Sequence, residues 1–177
     1  MSLASTTSNR RVTLSPAGAD DVATVRALAQ EIWRRHYPGI IPVAQIEYML
    51  EHGYSDEALA KFVATDDAGL ALARRDGAAV GFVAWYRLDR DTTKLEKLYV
   101  LPEHHGAGIG RALIEHVATW ARAAGTRAVK LNVNRGNARA VAAYERCGFS
   151  IRDSGDFPIG RGFVMEDYIM VRDIEVA

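Results

Sequence analysis

Apolar positions change their spacing several times along the chain, and each change marks an element. From Val12 to Pro16 they alternate, as in a strand with one buried face. Val22, Val25, Ala29, Ile32 and Trp33 then recur at helical spacing. Pro16 and Asp20-Asp21 suit the first turn of that helix, where acidic groups oppose the positive end of the dipole, and Pro38-Gly39 ends it. A shorter helix is predicted from Pro42, turning Ile46, Met49 and Leu50 inward and ending near Gly53; a third runs from the capping residue Ser55 toward Lys61. Three strands follow, Gly69 to Arg75, Ala79 to Leu88 and Lys94 to Val100, separated by the hairpin signature Asp76-Gly77 and a turn from Leu88 to Asp91. Ile109, Ala112, Leu113, Val117, Trp120, Ala121 and Ala124 form a helical face that stops at Gly125. Ala128 to Val133 reads as a strand, Asn137 to Arg146 as a helix closed by Gly148, and the stretch after Phe149 as two more strands.

That order predicts an α/β (α+β) fold on one mixed sheet, an antiparallel meander followed by parallel central strands near Val100 and Val133, with helices on both faces. Residues 10–177 are expected to form one domain, and residues 1–9, uncharged in their side chains and without an apolar run, a disordered tail. In such sheets ligands bind beyond the carboxyl ends of strands whose connections diverge, so chemistry is expected there.

Composition narrows the partners. Over 177 residues, 22 Lys and Arg balance 22 Asp and Glu, which argues against a dedicated nucleic-acid binder. A hydrophobic content of 49% excludes a disordered chain, and a single cysteine, Cys147, excludes an internal disulfide and fits a reducing compartment. No apolar run approaches a membrane span, and neither a signal peptide nor a metal-ligand set is apparent, so a cytoplasmic protein without metal or membrane partner is expected. A homodimer through the late strands or helices is left open.

The most informative stretch is Leu98-Tyr99-Val100-Leu101-Pro102-Glu103-His104-His105-Gly106-Ala107-Gly108-Ile109-Gly110-Arg111, a strand that passes through a glycine-rich loop straight into an amphipathic helix. Glycines let the backbone approach a ligand closely, while unpaired helix-terminal N–H groups and the dipole favour an anion such as pyrophosphate. The dinucleotide frame G-x-G-x-x-G fails, because its third glycine slot is Arg111; the triphosphate loop fails too, because Gly110 is followed by Arg111-Ala112.

Leu95 to Pro102 with His105 to Gly110 resembles the acetyl-coenzyme A motif of the GCN5-related N-acetyltransferases, and Asn137 to Phe149 resembles that family's downstream Asn, Ala, Tyr and Gly-Phe block. The resemblance covers about Lys94 to Phe149. It implies parallel strands splayed at the coenzyme site, and a backbone at Leu98, Tyr99 and Val100 that pairs with the pantetheine arm. It further implies a loop of His105, Gly106, Ala107, Gly108, Ile109, Gly110 and Arg111 around the pyrophosphate, and Asn137 on the coenzyme arm. The family's usual Arg or Gln is replaced by His105. Tyr144 matches the tyrosine that protonates the leaving thiolate, a task suited to a phenol.

A base is less marked. Glu96 alternates with Leu98 and Val100, so it is expected on their sheet face, partly buried, accepting a proton through water; its other reading is a solvated strand residue paired with Lys94 or Lys97. Six acids between Glu47 and Asp67 against Lys61 alone form either an attractive field for a cationic amine or plain surface, with surface preferred. Tyr37 to Pro42, Asp156 to Gly160 and Glu166 to Met170 resemble the subgroup that includes bacterial polyamine acetyltransferases, which points to a small amine or polyamine acceptor. Two other readings stand beside it: acetylation of a protein or peptide amine, and a non-catalytic acyl-coenzyme A sensor. The charge is also uneven, with seven basic and two acidic residues from His104 to Arg146.

Overall fold

The computed structural model describes residues 11–175 of the chain; the expected tail at residues 1–9 lies outside them. Seven strands form one sheet: β1 (Val12–Pro16), β2 (Ala68–Arg75), β3 (Ala78–Arg87), β4 (Thr92–Val100), β5 (Ala128–Asn134), β6 (Ser150–Gly160) and β7 (Phe163–Asp173). They lie in the order β1-β2-β3-β4-β5-β7-β6, antiparallel throughout except between β4 and β5. The helices are α1 (Val22–His36), α2 (Val43–Gly53), α3 (Asp56–Ala60), α4 (Ile109–Ala123) and α5 (Ala138–Arg146). Ser55 Oγ accepts from the Ala58 amide (3.1 Å), capping α3 as its sequence predicts. Pro16 does not open a helix: it ends β1, and Asp20 and Asp21 sit in a 3-10 turn ahead of α1.

Two cores sandwich the sheet. On one face α4 buries Ile109, Leu113, Ile114, Val117 and Ala121 against Val83, Leu95, Val129, Leu131 and Met170. On the other, α1 to α3 bury Val25, Ile32, Trp33, Ile46, Leu50 and Leu59 against Leu70, Leu72, Phe82 and Ala84. Among the described residues no helix is long and apolar enough to cross a membrane.

The parallel contact is shorter than the sequence suggests, and it sits at the other end of the strands. β4 and β5 pair only through Thr92, Thr93 and Lys94 with Ala128, Val129 and Lys130, and then diverge toward Val100 and Asn134. The edge of β4 facing β5 is therefore outside the ladder from Leu95 onward. Its other edge stays paired to β3, with one bulge: Ala84 faces Lys97 and Trp85 faces Leu95, so Glu96 is the extra residue.

Candidate active site

β4 leads through a 3-10 turn at Pro102–His104 into the glycine loop and α4. Gly106 and Gly108 take φ of +77° and +79°, a left-handed conformation in which side chains are strained, and a Cβ added at Gly106, Gly108 or Gly110 would point into open space. The loop is therefore glycine-rich for its backbone path and its bare surface. The first helical bond runs from the Ala112 amide to the Gly108 carbonyl (3.0 Å), leaving the amides of Ile109, Gly110 and Arg111 without intrahelical acceptors.

The loop opens on a cavity of about 730 Å³ that continues through the gap between β4 and β5. Of the thirteen residues singled out from sequence, Glu96, Leu98, Tyr99, Val100, His105, Gly106, Gly108, Ile109, Gly110, Arg111, Asn137 and Tyr144 line it, and Ala107 does not. Several side chains have structural tasks there. His105 Nε2 bonds the Val100 carbonyl (2.8 Å), tying the loop to the strand end. The Arg111 guanidinium donates to the Arg146 carbonyl (3.0 Å) at the end of α5, and Asn137 Oδ1 accepts from the Ala140 amide (3.4 Å) as the cap of that helix.

Tyr144 stands on α5, edge to face with Phe149 (5.7 Å between centroids), and burial raises its hydroxyl above the usual tyrosine range, so it stays protonated at neutral pH. Across the cavity Tyr37 and Tyr99 share a hydroxyl hydrogen bond (3.1 Å), and Trp33 Nε1 donates to the Tyr54 hydroxyl (3.1 Å). Burial pushes Tyr37 up to about 12 and Tyr54 and Tyr99 well above the usual value.

Glu96 is where the alternation argument needs correcting. The bulge puts Leu95, Leu98 and Val100 against the α4 core, while Tyr99 packs with the α1 to α3 core and Lys97 lies over the Tyr54 ring (4.3 Å). Glu96 shares neither alternation; it lines the cavity as an exposed residue, not a partly buried one. Lys97, by contrast, is desolvated, and this lowers its pKa to about 8 against the opposing pull of Glu96.

The far half of the cavity has a polar floor that sequence reasoning missed. Lys94 Nζ bonds Asn132 Oδ1 across the β4 to β5 gap, and Asn132 Nδ2 donates to Asp167 Oδ2 (3.4 Å). Asp167 is 6% exposed, and its Oδ1 has no hydrogen-bond partner among the described residues. Its signal was present: Phe163, Met165, Asp167 and Ile169 share one strand face, apolar but for the acid. The acids from Glu47 to Asp67 stay outside. Glu47 is held by Arg34 (2.9 Å), Asp56 pairs with Arg26, and Asp67 with Arg87 (3.0 Å), as expected of surface.

Above this floor α2 is strapped to the β6-β7 hairpin. The Tyr48 hydroxyl donates to the Ile159 carbonyl (2.7 Å) and Gln45 Nε2 to the Val164 carbonyl (3.0 Å), while Phe157, Ile159 and Met165 line the cavity from the hairpin side.

Comparison with known proteins decides the family. The profile described as the acetyltransferase (GNAT) family matches residues 26–149. The chain belongs to that family. This acetyltransferase is 32% identical over 160 residues to an uncharacterized N-acetyltransferase of Mycobacterium tuberculosis, covering 88% of the chain and 97% of that protein. It is 26% identical over 151 residues to the spermidine N(1)-acetyltransferase of Thermoplasma acidophilum, covering 83% and 91%. In fold it is similar to the crystal structure of the PaiA N-acetyltransferase from Thermoplasma acidophilum in complex with coenzyme A, with a TM-score of 0.80, 24% identity, and coverage of 92% and 99%. The acetyltransferase is thus an acyl-transferring enzyme with a mixed sheet of the fold its sequence motifs imply.

Proposed function

We propose that this acetyltransferase moves the acetyl group of acetyl-coenzyme A onto a primary amine of a small cationic acceptor, by direct attack while both are bound. One observation carries the reading: a single cavity runs from the glycine loop, through the gap between β4 and β5, to the polar floor under the strap. The free amides at the start of α4 suit a pyrophosphate, and the free edge of β4 suits an arm that pairs like a strand. The residues present therefore fit the coenzyme, which when bound supplies an activated thioester. The names of the spermidine N(1)-acetyltransferase and of the PaiA complex with coenzyme A support the same reading.

The protein's own residues then divide the work. Glu96, open to water at the bulge, accepts the acceptor's ammonium proton through water and leaves the nitrogen lone pair free. Amides around Leu98 to Val100 polarise the carbonyl as the nitrogen bonds to its carbon. Tyr144, protonated through burial, gives its hydroxyl proton to the sulfur as the carbon–sulfur bond breaks. The phenolate regains a proton through water from the attacking nitrogen, which sheds its second proton as it becomes the amide. The strap across the floor favours a small acceptor over an extended peptide, which would need an open groove. A lone partly buried thiol, Cys147, suits a cytoplasmic setting.

Thiol release from acetyl-coenzyme A with a panel of amines tests the proposal. Release that depends on added polyamine or small amine, and exceeds that with peptide amines, is the expected result. Faster turnover of peptides would favour the protein acceptor, and no turnover with any amine despite bound coenzyme would favour a sensor.

A further inference from the structure

Among the described residues Asp167 forms no ion pair, although it is nine-tenths buried and lines the cavity. A desolvated carboxylate is costly unless a cation or full hydrogen bonding offsets it. Among those residues Oδ1 has no partner, and Oδ2 has only the long 3.4 Å bond from Asn132, so rotation about the Cβ–Cγ bond can present either oxygen to the cavity. Lys94, whose ammonium donates to Asn132, acts on Asp167 through its charge but forms no ion pair with it among the described residues. Burial raises the Asp167 pKa against the opposing influence of Asn132, Lys94 and Arg135, as expected for a carboxylate short of positive company. The same cavity is also lined by Tyr37, Phe157, Ile159 and Met165, apolar and aromatic groups suited to the methylene chain of an alkyl amine.

We infer that Asp167 receives a second, non-reacting ammonium group of the acceptor, so that the enzyme selects diamines and polyamines over monoamines. This rests on the amine-acetyltransferase reading and assigns the acceptor's remote end. The assignment to the non-reacting group follows from solvation. The attacking nitrogen must lose its proton, which water-exposed Glu96 assists, whereas a buried carboxylate holds an ammonium in its charged form. A site built around a buried charge rejects the analogue lacking the matching charge, because its own group is then left unpaired.

The test compares 1,4-diaminobutane with butylamine, on the native enzyme and on Asp167→Asn, which keeps the shape and removes the charge. Two readouts are taken: kcat/KM by thiol release, and calorimetric affinity for each amine in the presence of coenzyme A. The native enzyme is expected to prefer the diamine by tenfold or more in both readouts, and Asp167→Asn to bring the ratio close to one while coenzyme A affinity stays within twofold. A ratio that persists in Asp167→Asn overturns the inference, as does failure of the diamine to bind the native enzyme better than the monoamine. Diamine binding that depends on Asp167 without turnover would support the ammonium site and overturn acetyl transfer. Turnover with equal ratios in both proteins would do the reverse.

Discussion

At its loop end the cavity is made of backbone, and at its floor end it is made of side chains. Three Cβ-free positions and the free amides of α4 form the first; Lys94, Asn132, Asp167 and the tyrosines form the second. The first end requires only that the chain follow one path, with φ near +80° at Gly106 and Gly108, and it suits an anion common to many reactions. The second depends on which groups meet across β4, β5, β7, α1 and α2, and it sets what is acetylated. Tyr144, on α5, lines the same cavity and serves the bond that breaks.

The largest effect is expected at the bond that breaks. Tyr144→Phe removes the proton donor and keeps the packing on Phe149; kcat should fall by about 100-fold or more, with coenzyme A affinity by calorimetry within twofold. Next comes the backbone end. Gly108→Val forces a β-branched residue into a left-handed conformation, a strain of roughly 1–2 kcal/mol. Acetyl-coenzyme A should bind about tenfold more weakly while the amine KM holds. A smaller change should follow at the strap. Gly160 has φ of +111°, and a Cβ there would collide with the Tyr48 hydroxyl that bonds the Ile159 carbonyl. Gly160→Ala should therefore loosen the hairpin and raise the amine KM about fivefold, a loss of roughly 1 kcal/mol, with coenzyme affinity unchanged.

A separate effect, on stability rather than catalysis, comes from Lys97. Its pKa is about 8 in the folded protein against an ordinary 10.5, so between those values the unfolded chain binds more protons and stability rises with pH. One proton gives a slope of at most about 1.4 kcal/mol per pH unit. Above pH 10 the trend reverses, because Tyr37, Tyr54, Tyr99 and Tyr144 titrate higher when folded than the ordinary 10.0, and the unfolded chain loses its phenolic protons first. Urea unfolding at pH 7, 9 and 11 should show a rise and then a fall; Lys97→Met should lose the rise and keep the fall.

The same division governs what the sequence discloses. The coenzyme end is one continuous stretch, Leu98 to Arg111, so its strand, loop and helix start are all visible locally. Helix stops were equally local: Gly125 and Gly148 take the positive φ that their place after α4 and α5 predicts. Glu96 was misplaced because a bulge shifts the period of two by one residue, and nothing within β4 announces it; it is a property of pairing with β3. Pro16 was misread because a β-edge proline and a helix-start proline look alike without the partner strand. The acceptor floor was hidden for a related reason. Lys94, Asn132 and Asp167 are far apart in the chain, and only the short pairing of β4 with β5 and the insertion of β7 beside β5 bring them together. The splay at the strand ends is what the family resemblance implies; only the place of the parallel pairing differs, at Thr92 to Lys94 rather than near Val100.

The separate construction of the two ends is tested most directly by measuring two constants on two variants: coenzyme A affinity by calorimetry and diamine KM by thiol release, for Gly108→Val and Asp167→Asn. The backbone variant should weaken only the coenzyme and the side-chain variant only the diamine, each by about tenfold against a change under twofold in the other constant. Equal losses in both constants for either variant would contradict the account, since the cavity would then be one coupled site rather than a backbone cradle joined to a side-chain filter.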